Sequence, residues 1–173
     1  VSSELLDYLE ELNKRTFLIV EYGIESCNDD TLRYINRGHD FACTRKAVEE
    51  TAKRGIYVGG HVIMGLPGED ASESLRQAPI ISSLPLTLLK IHQMQIIKGT
   101  RLAKIYKERP FHLYTIEEYI DLITQYIGLL RSDLVLERFV TQSPPEMLIA
   151  PKWGLKNYEF TNLLNNRLRE MRL

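Results

Sequence analysis

The residues able to do chemistry sit in short polar phases threaded through apolar runs. Along Thr16–Ile24, Leu18, Val20, Tyr22 and Ile24 fall in one phase, and Glu21, Gly23 and the following Glu25 in the other. Successive strand side chains point to opposite faces, so the two phases line opposite sides of a strand. His61, Ile63 and Gly65 make a similar phase in and just beyond Ile56–Met64, and Lys90, His92 and Met94 make a third in Leu86–Ile97. An apolar face packed on helices and a polar face turned inward is what a barrel with a ligand in its mouth requires. Burying two carboxylates costs several kcal/mol unless something pairs with them. Glu21 and Glu25 therefore either meet a ligand or neutralise nearby Arg and Lys side chains, and their types alone leave both readings open. The same holds for His61, as a core residue or a ligand contact. In Gly65-Leu66-Pro67-Gly68, the two glycines allow close backbone approach and the proline stiffens the turn.

The elements that must position these residues follow from hydrophobic period. Leu5, Leu6, Leu9 and Leu12 mark one face of a helix over Ser3–Lys14. Thr16–Ile24 is β-rich and reads as a buried strand. Phe41–Arg54 reads as a helix stopped by Gly55, and Ile56–Met64 as a second strand. A third helix starts near Asp70, with Glu73 at capping-box spacing, and ends before Pro85. Leu86–Ile97 predicts a third strand closed by Gly99, followed by a short helix over Leu102–Lys107. Thr115 and Glu118 introduce a longer helix, Ile116–Leu130. Leu134–Val140 predicts a short fourth strand, Ser143-Pro144-Pro145 and Pro151 irregular chain, and Tyr158–Met171 a last helix. Alternation of the two periods predicts an α/β fold with parallel strands. Three strand–helix units resemble half of a βα-barrel, a partial TIM-like barrel, more than a whole one. No G-x-G-x-x-G follows the first strand, which disfavours a dinucleotide-binding fold.

Composition narrows the classes. The chain has 173 residues, 44% of them hydrophobic, enough for one globular core. A net charge of −1, with cations and acids interspersed, speaks against a nucleic-acid surface. No apolar run approaches the ~20 residues of a membrane span. The start, Val1-Ser2-Ser3-Glu4, has no signal-peptide character and no initiator Met, from which a piece trimmed from a longer protein is expected. Cys27 and Cys43 have neither a disulfide-scaffold pattern nor a metal-ligand spacing, so two reduced thiols in a cytoplasmic protein are expected.

Three stretches, in order, resemble landmarks of the radical S-adenosylmethionine (SAM) superfamily: Gly23-Ile24-Glu25-Ser26, Asn36-Arg37-Gly38-His39-Asp40 and Gly65-Leu66-Pro67-Gly68-Glu69. Ile97-Lys98-Gly99-Thr100 and Pro144-Pro145-Glu146 extend the likeness, which is strongest to a bacterial group related to oxygen-independent coproporphyrinogen oxidase and the Elongator catalytic subunit. The resemblance implies that residues 1–133 form the second half of a radical SAM barrel and 134–173 a C-terminal extension. It implies a cofactor site in which Glu25 accepts from the SAM ribose hydroxyls and Arg37 holds the methionine carboxylate. Ile63 and the Gly65 backbone would contact adenine, with His61 near the ribose and methionine moiety, where relatives often carry an aspartate. Reductive cleavage of SAM to a 5′-deoxyadenosyl radical is the implied reaction, with a [4Fe–4S] cluster and an electron donor such as a flavodoxin or ferredoxin. The cluster motif Cys-x3-Cys-x2-Cys does not occur here, so its ligands are expected upstream and this chain alone is expected to be inactive. The alternative is a non-catalytic nucleotide-binding or RNA-binding relative of the barrel. Without strands before it, Thr16–Ile24 is expected to present a free sheet edge through which the chain self-associates.

Overall fold

The computed structural model describes residues 1–171; Arg172 and Leu173, the end of the expected C-terminal extension, lie outside the described residues. Strands β1 (Ile19–Glu25), β2 (Tyr57–Met64), β3 (Leu88–Gln93) and β5 (Val135–Arg138) form one parallel sheet in the order β1-β2-β3-β5. Helices separate them: α2 (Asp29–Tyr34) and α3 (Phe41–Ala52) after β1, α4 (Ala71–Ser83) after β2, and α5 (Arg101–Glu108) and α6 (Ile116–Gly128) before β5. Helix α1 (Ser3–Asn13) leads into β1, and α7 (Asn157–Glu170) closes the described chain against α6. This is the α/β architecture, consistent with part of a barrel, that the alternating periods require.

The two strand phases separate as alternation demands. Ile24, Val58, Val62, Leu89 and Ile91 are buried under the helices, in a core that includes Val48, Ile81 and Ile123. Tyr119 and Tyr126 of α6 are also fully buried, and the Tyr119 hydroxyl donates to the Phe139 carbonyl at 2.8 Å. A buried phenol without such a partner would cost free energy, so this bond fixes α6 against the chain leaving β5. The polar phase faces the other way and carries Glu21, Glu25, His61, Lys90 and His92.

Helices α2 and α4 start soon after the ends of β1 and β2, which places the loops of interest at one edge of the sheet. Asn28, Asp40 and Asp70 each accept a backbone N–H in the first turn of α2, α3 and α4. Thr115 and Glu118 form the expected reciprocal capping box on α6. Six-residue α2 is too short to show a helical period, and it escapes sequence reading.

The predicted strand Leu86–Ile97 divides into two. β3 ends at Gln93, and β4 (Ile96–Ile97) pairs antiparallel with β6 (Leu148–Ala150) in a separate two-stranded sheet. The cause is a pair of amide clamps. Gln93 accepts from Thr141 N at 2.8 Å and donates to Thr141 O at 3.0 Å, while Gln95 donates to the same oxygen at 3.2 Å. These bonds draw the chain away from β2 after Met94 N donates to Met64 O at 2.9 Å.

Candidate functional site

Glu25 closes β1 with φ at 65°, in the left-handed region that a glutamate seldom occupies. Asn36, at φ 60°, turns the chain after α2 and returns Arg37 over the end of β1. The Arg37 Nη2 donates to the Gly23 carbonyl, and Nη1 stands 3.5 Å from Glu25 Oε1. Glu25 is 13% exposed and Arg37 30%, so the pair is partly withdrawn from water. Gly23 makes this approach possible: a Cβ there would lie 3.0 Å from Arg37 Nη2 and nearer still to Glu25 Oε1.

On the other side of the carboxylate, His61 Nδ1 lies 3.4 Å from Glu25 Oε2, and His61 Nε2 lies 2.7 Å from His92 Nδ1. Arg37, Glu25, His61 and His92 thus form one line across β1, β2 and β3. Two of its atoms, Glu25 Oε2 and Arg37 Nε, are buried without a hydrogen-bond partner among the described residues, as is His92 Nε2. Such atoms cost free energy until a partner meets them. Burial, with the neighbouring His61 imidazole, pushes the His92 imidazole down to about 4.

Of the other candidates, Ile63 is half-buried beside this line and Gly65 (φ 82°) is buried at the turn after β2, where a Cβ would meet the Tyr114 ring at 3.0 Å. Glu21 departs from the expected buried carboxylate. It is 46% exposed and binds Lys90 Nζ at 2.6 Å, while Lys90 also faces Glu137 at 3.4 Å. Glu21 reaches across β2 because Gly59 stands between, where a Cβ would meet the Glu21 side chain at 2.8 Å. The hydrogen bond from Lys90 to Glu21 raises the lysine pKa, so Lys90 is a fixed cation and a structural tie. His39 is exposed at the start of the loop into α3.

A second polar cluster, invisible to periodicity, locks the loops that carry the site. Ser26 Oγ donates to Glu69, Cys27 N donates to Gln77 Oε1 at 2.7 Å, and Asn28 N donates to Ser26 Oγ at 2.9 Å. The turn after β1 is thereby fastened to the turn after β2 and to α4. Burial raises the Glu69 pKa.

The residues fit SAM and do not fit an iron–sulfur cluster. A buried, unpaired carboxylate oxygen is an acceptor for a hydroxyl, and the free Nε–H of Arg37 is a donor for a carboxylate. Among the described residues no group of three or more His, Cys, Asp or Glu could hold a metal ion. Cys43 is exposed, and burial pushes the Cys27 thiol up to about 12, so Cys27 is not a poised thiolate.

One face of the parallel sheet carries a carboxylate and two imidazoles on β1, β2 and β3, with a guanidinium returned over the end of β1. The family model for the radical SAM superfamily matches residues 1–76, and that for the Radical_SAM C-terminal domain matches residues 86–170. The chain belongs to the radical SAM superfamily. It is 32% identical to YtqA of Bacillus subtilis over 165 residues, which are 95% of this chain and 51% of that protein. YhcC of Escherichia coli is 30% identical over 154 residues, 88% of this chain and 50% of YhcC. The chain therefore spans about half the length of these relatives. The fold matches the structure of the archaeal Methanocaldococcus infernus Elp3 with an N-terminal deletion, with a TM-score of 0.83 at 22% identity. The match covers 96% of this chain and 39% of that one. No helix of the described residues is long and apolar enough to cross a membrane.

Proposed function

We propose that this chain is the SAM-holding second half of a radical SAM barrel, and that the cluster ligands belong to a preceding half of the intact protein. The observation that carries this reading is the buried, unpaired Glu25 Oε2 beside Arg37 at the end of β1. When bound, SAM supplies by reductive cleavage the 5′-deoxyadenosyl radical that begins chemistry on a substrate. Glu25, held at φ 65° where β1 closes, accepts hydrogen bonds from the ribose hydroxyls. Arg37 donates to the methionine carboxylate through the nitrogen it does not use on Gly23 and Glu25. Ile63 packs against adenine, and the Gly65 backbone approaches the ring edge because no side chain intervenes. His61 stands on the other side of that carboxylate, 3.4 Å from Oε2.

The test uses the natural gene product, reconstituted anaerobically with iron and sulfide. Arg37→Ala is expected to weaken SAM binding by about 1.5–3 kcal/mol, the scale of a hydrogen bond to a charged group. Wild type given SAM and dithionite is expected to release 5′-deoxyadenosine. An Arg37→Ala protein with wild-type affinity removes Arg37 from the site, and a protein that forms no cluster points to a non-catalytic nucleotide-binding relative.

A further inference from the structure

The contact between His61 and His92 joins β2 to β3 on the polar face, and it carries information about protons. Register pairs His61 with Lys90 and Ile63 with His92, so the two imidazoles meet on a diagonal of the polar face. Their rings stand edge to face, 84° apart with centroids 4.1 Å apart. His61 Nδ1 faces Glu25 Oε2 at 3.4 Å without hydrogen-bond geometry, and the negative charge of a carboxylate that can only accept favours the tautomer with its hydrogen on Nδ1. In the neutral imidazole the opposite nitrogen, Nε2, is then a bare lone pair. A 2.7 Å contact needs one hydrogen between its two nitrogens, and His92 Nδ1 must supply it. His92 Nε2 is left bare, in keeping with its having no partner among the described residues. The charge of Glu25 thus orders the tautomers of both imidazoles along the line.

We infer that His92 is a positioning residue: its Nδ1–H fixes the ring orientation and tautomer of His61, and His61 in turn holds the Glu25 carboxylate toward a vicinal diol. The inference rests on the reading of Glu25 as the ribose contact. Glu25 needs such support because its backbone conformation is strained and one oxygen has no hydrogen bond within the chain. Without His92, His61 can rotate about its Cβ–Cγ bond and turn carbon or a lone pair toward the carboxylate. Lys90 cannot replace His92, since Glu21 and Glu137 occupy it.

The experiment is a comparison of two ligands by calorimetry on the reconstituted natural gene product: 5′-deoxyadenosine and its analogue lacking the 2′-hydroxyl. Wild type is expected to prefer the diol about tenfold, and Glu25→Ala to abolish the preference. His92→Phe is expected to cut the preference by about threefold to tenfold, leaving affinity for the analogue nearly unchanged. His92→Asn, which places an amide N–H where Nδ1 stands, is expected to restore it. Should the Phe variant not fold, His92→Gln, whose amide lies one bond too far, takes its place with the same expected loss. Equal weakening of both ligands by His92→Phe, or no weakening at all, overturns the positioning role while Glu25→Ala still moves the ratio. A ratio that Glu25→Ala leaves unchanged overturns the ribose reading itself, and this inference with it.

Discussion

Gly23→Ala separates binding from folding, because the new methyl group would strike the site and little else. The built Cβ lies 3.0 Å from Arg37 Nη2, closer still to Glu25 Oε1, and 3.4 Å from Glu25 Cδ. Real Cβ contacts closer than 3.0 Å essentially never occur, so something must shift. The carboxylate and the guanidinium, each the end of a flexible side chain, are the groups that must move. The cost falls on groups that would hold SAM: disturbing one hydrogen bond to a charged group is worth about 1.5–3 kcal/mol, or roughly 10- to 150-fold in affinity. The strand itself accepts alanine. Gly23 does not have a positive φ, and replacing glycine in a strand gains about 0.5–1 kcal/mol, against an ion pair worth about 0–1 kcal/mol when partly exposed. The expected outcome is an unchanged or slightly raised melting temperature together with SAM affinity lowered at least tenfold. Calorimetric titration and thermal denaturation of the reconstituted natural protein measure the two. Wild-type affinity in Gly23→Ala refutes the cradle reasoning, and a melting point lowered by many degrees shows that the methyl strikes the fold instead.

Acid should destabilise the chain through His92. Its imidazole titrates near 6.5 unfolded and at about 4 folded, so between those values the unfolded chain binds the extra proton and stability falls with pH. The limit is about 3 kcal/mol, which partial solvent access reduces to about 1–2 kcal/mol. His92→Phe is expected to show a shallower loss of melting temperature from pH 7 to 5, and identical pH dependence in both proteins would remove His92 as the cause. Iodoacetamide at pH 8 is expected to label exposed Cys43 and to spare Cys27 until the chain is denatured, as mass spectrometry will show. Prompt labelling of Cys27 would mean that its burial is wrong. Among the described residues strand β1 pairs with β2 alone, and beside it the Phe17 and Tyr57 rings meet tilted, 5.3 Å apart, with 73% and 48% of their surfaces exposed. The isolated chain is therefore expected to self-associate with concentration in sedimentation runs, and a strict monomer would count against edge pairing.

What the sequence made legible and what it hid divide along one physical line. Periodicity reports faces, so the buried phase of Ile24, Val58, Val62 and Leu89 and the opposite phase of Glu25, His61 and His92 were both readable. Local chemistry reports turns and caps, so Thr115 with Glu118 and the stop at Gly55 were readable too. Partners across the sheet are another matter, because they depend on register, which neither signal contains. Phase left Glu21 open between a ligand and a nearby cation, and register with the bare Gly59 between strands gives it to Lys90. His61 looked solitary, yet the β2–β3 register sets His92 at its side. The break in Leu86–Ile97 was hidden for the same reason: its cause is Thr141, 46 residues beyond Gln95. Three glycines in the two strands show the missing kind of signal. Gly23 and Gly59 leave room for polar side chains to meet across a strand, and Gly60 admits Ile24 and Leu86 on the opposite, apolar face. A glycine inside a strand weakens it, so each one marks a close approach by something else. Here Gly23 and Gly59 mark two of the charge pairs of the polar face, which makes strand glycines a direct sequence pointer to where that face is crossed.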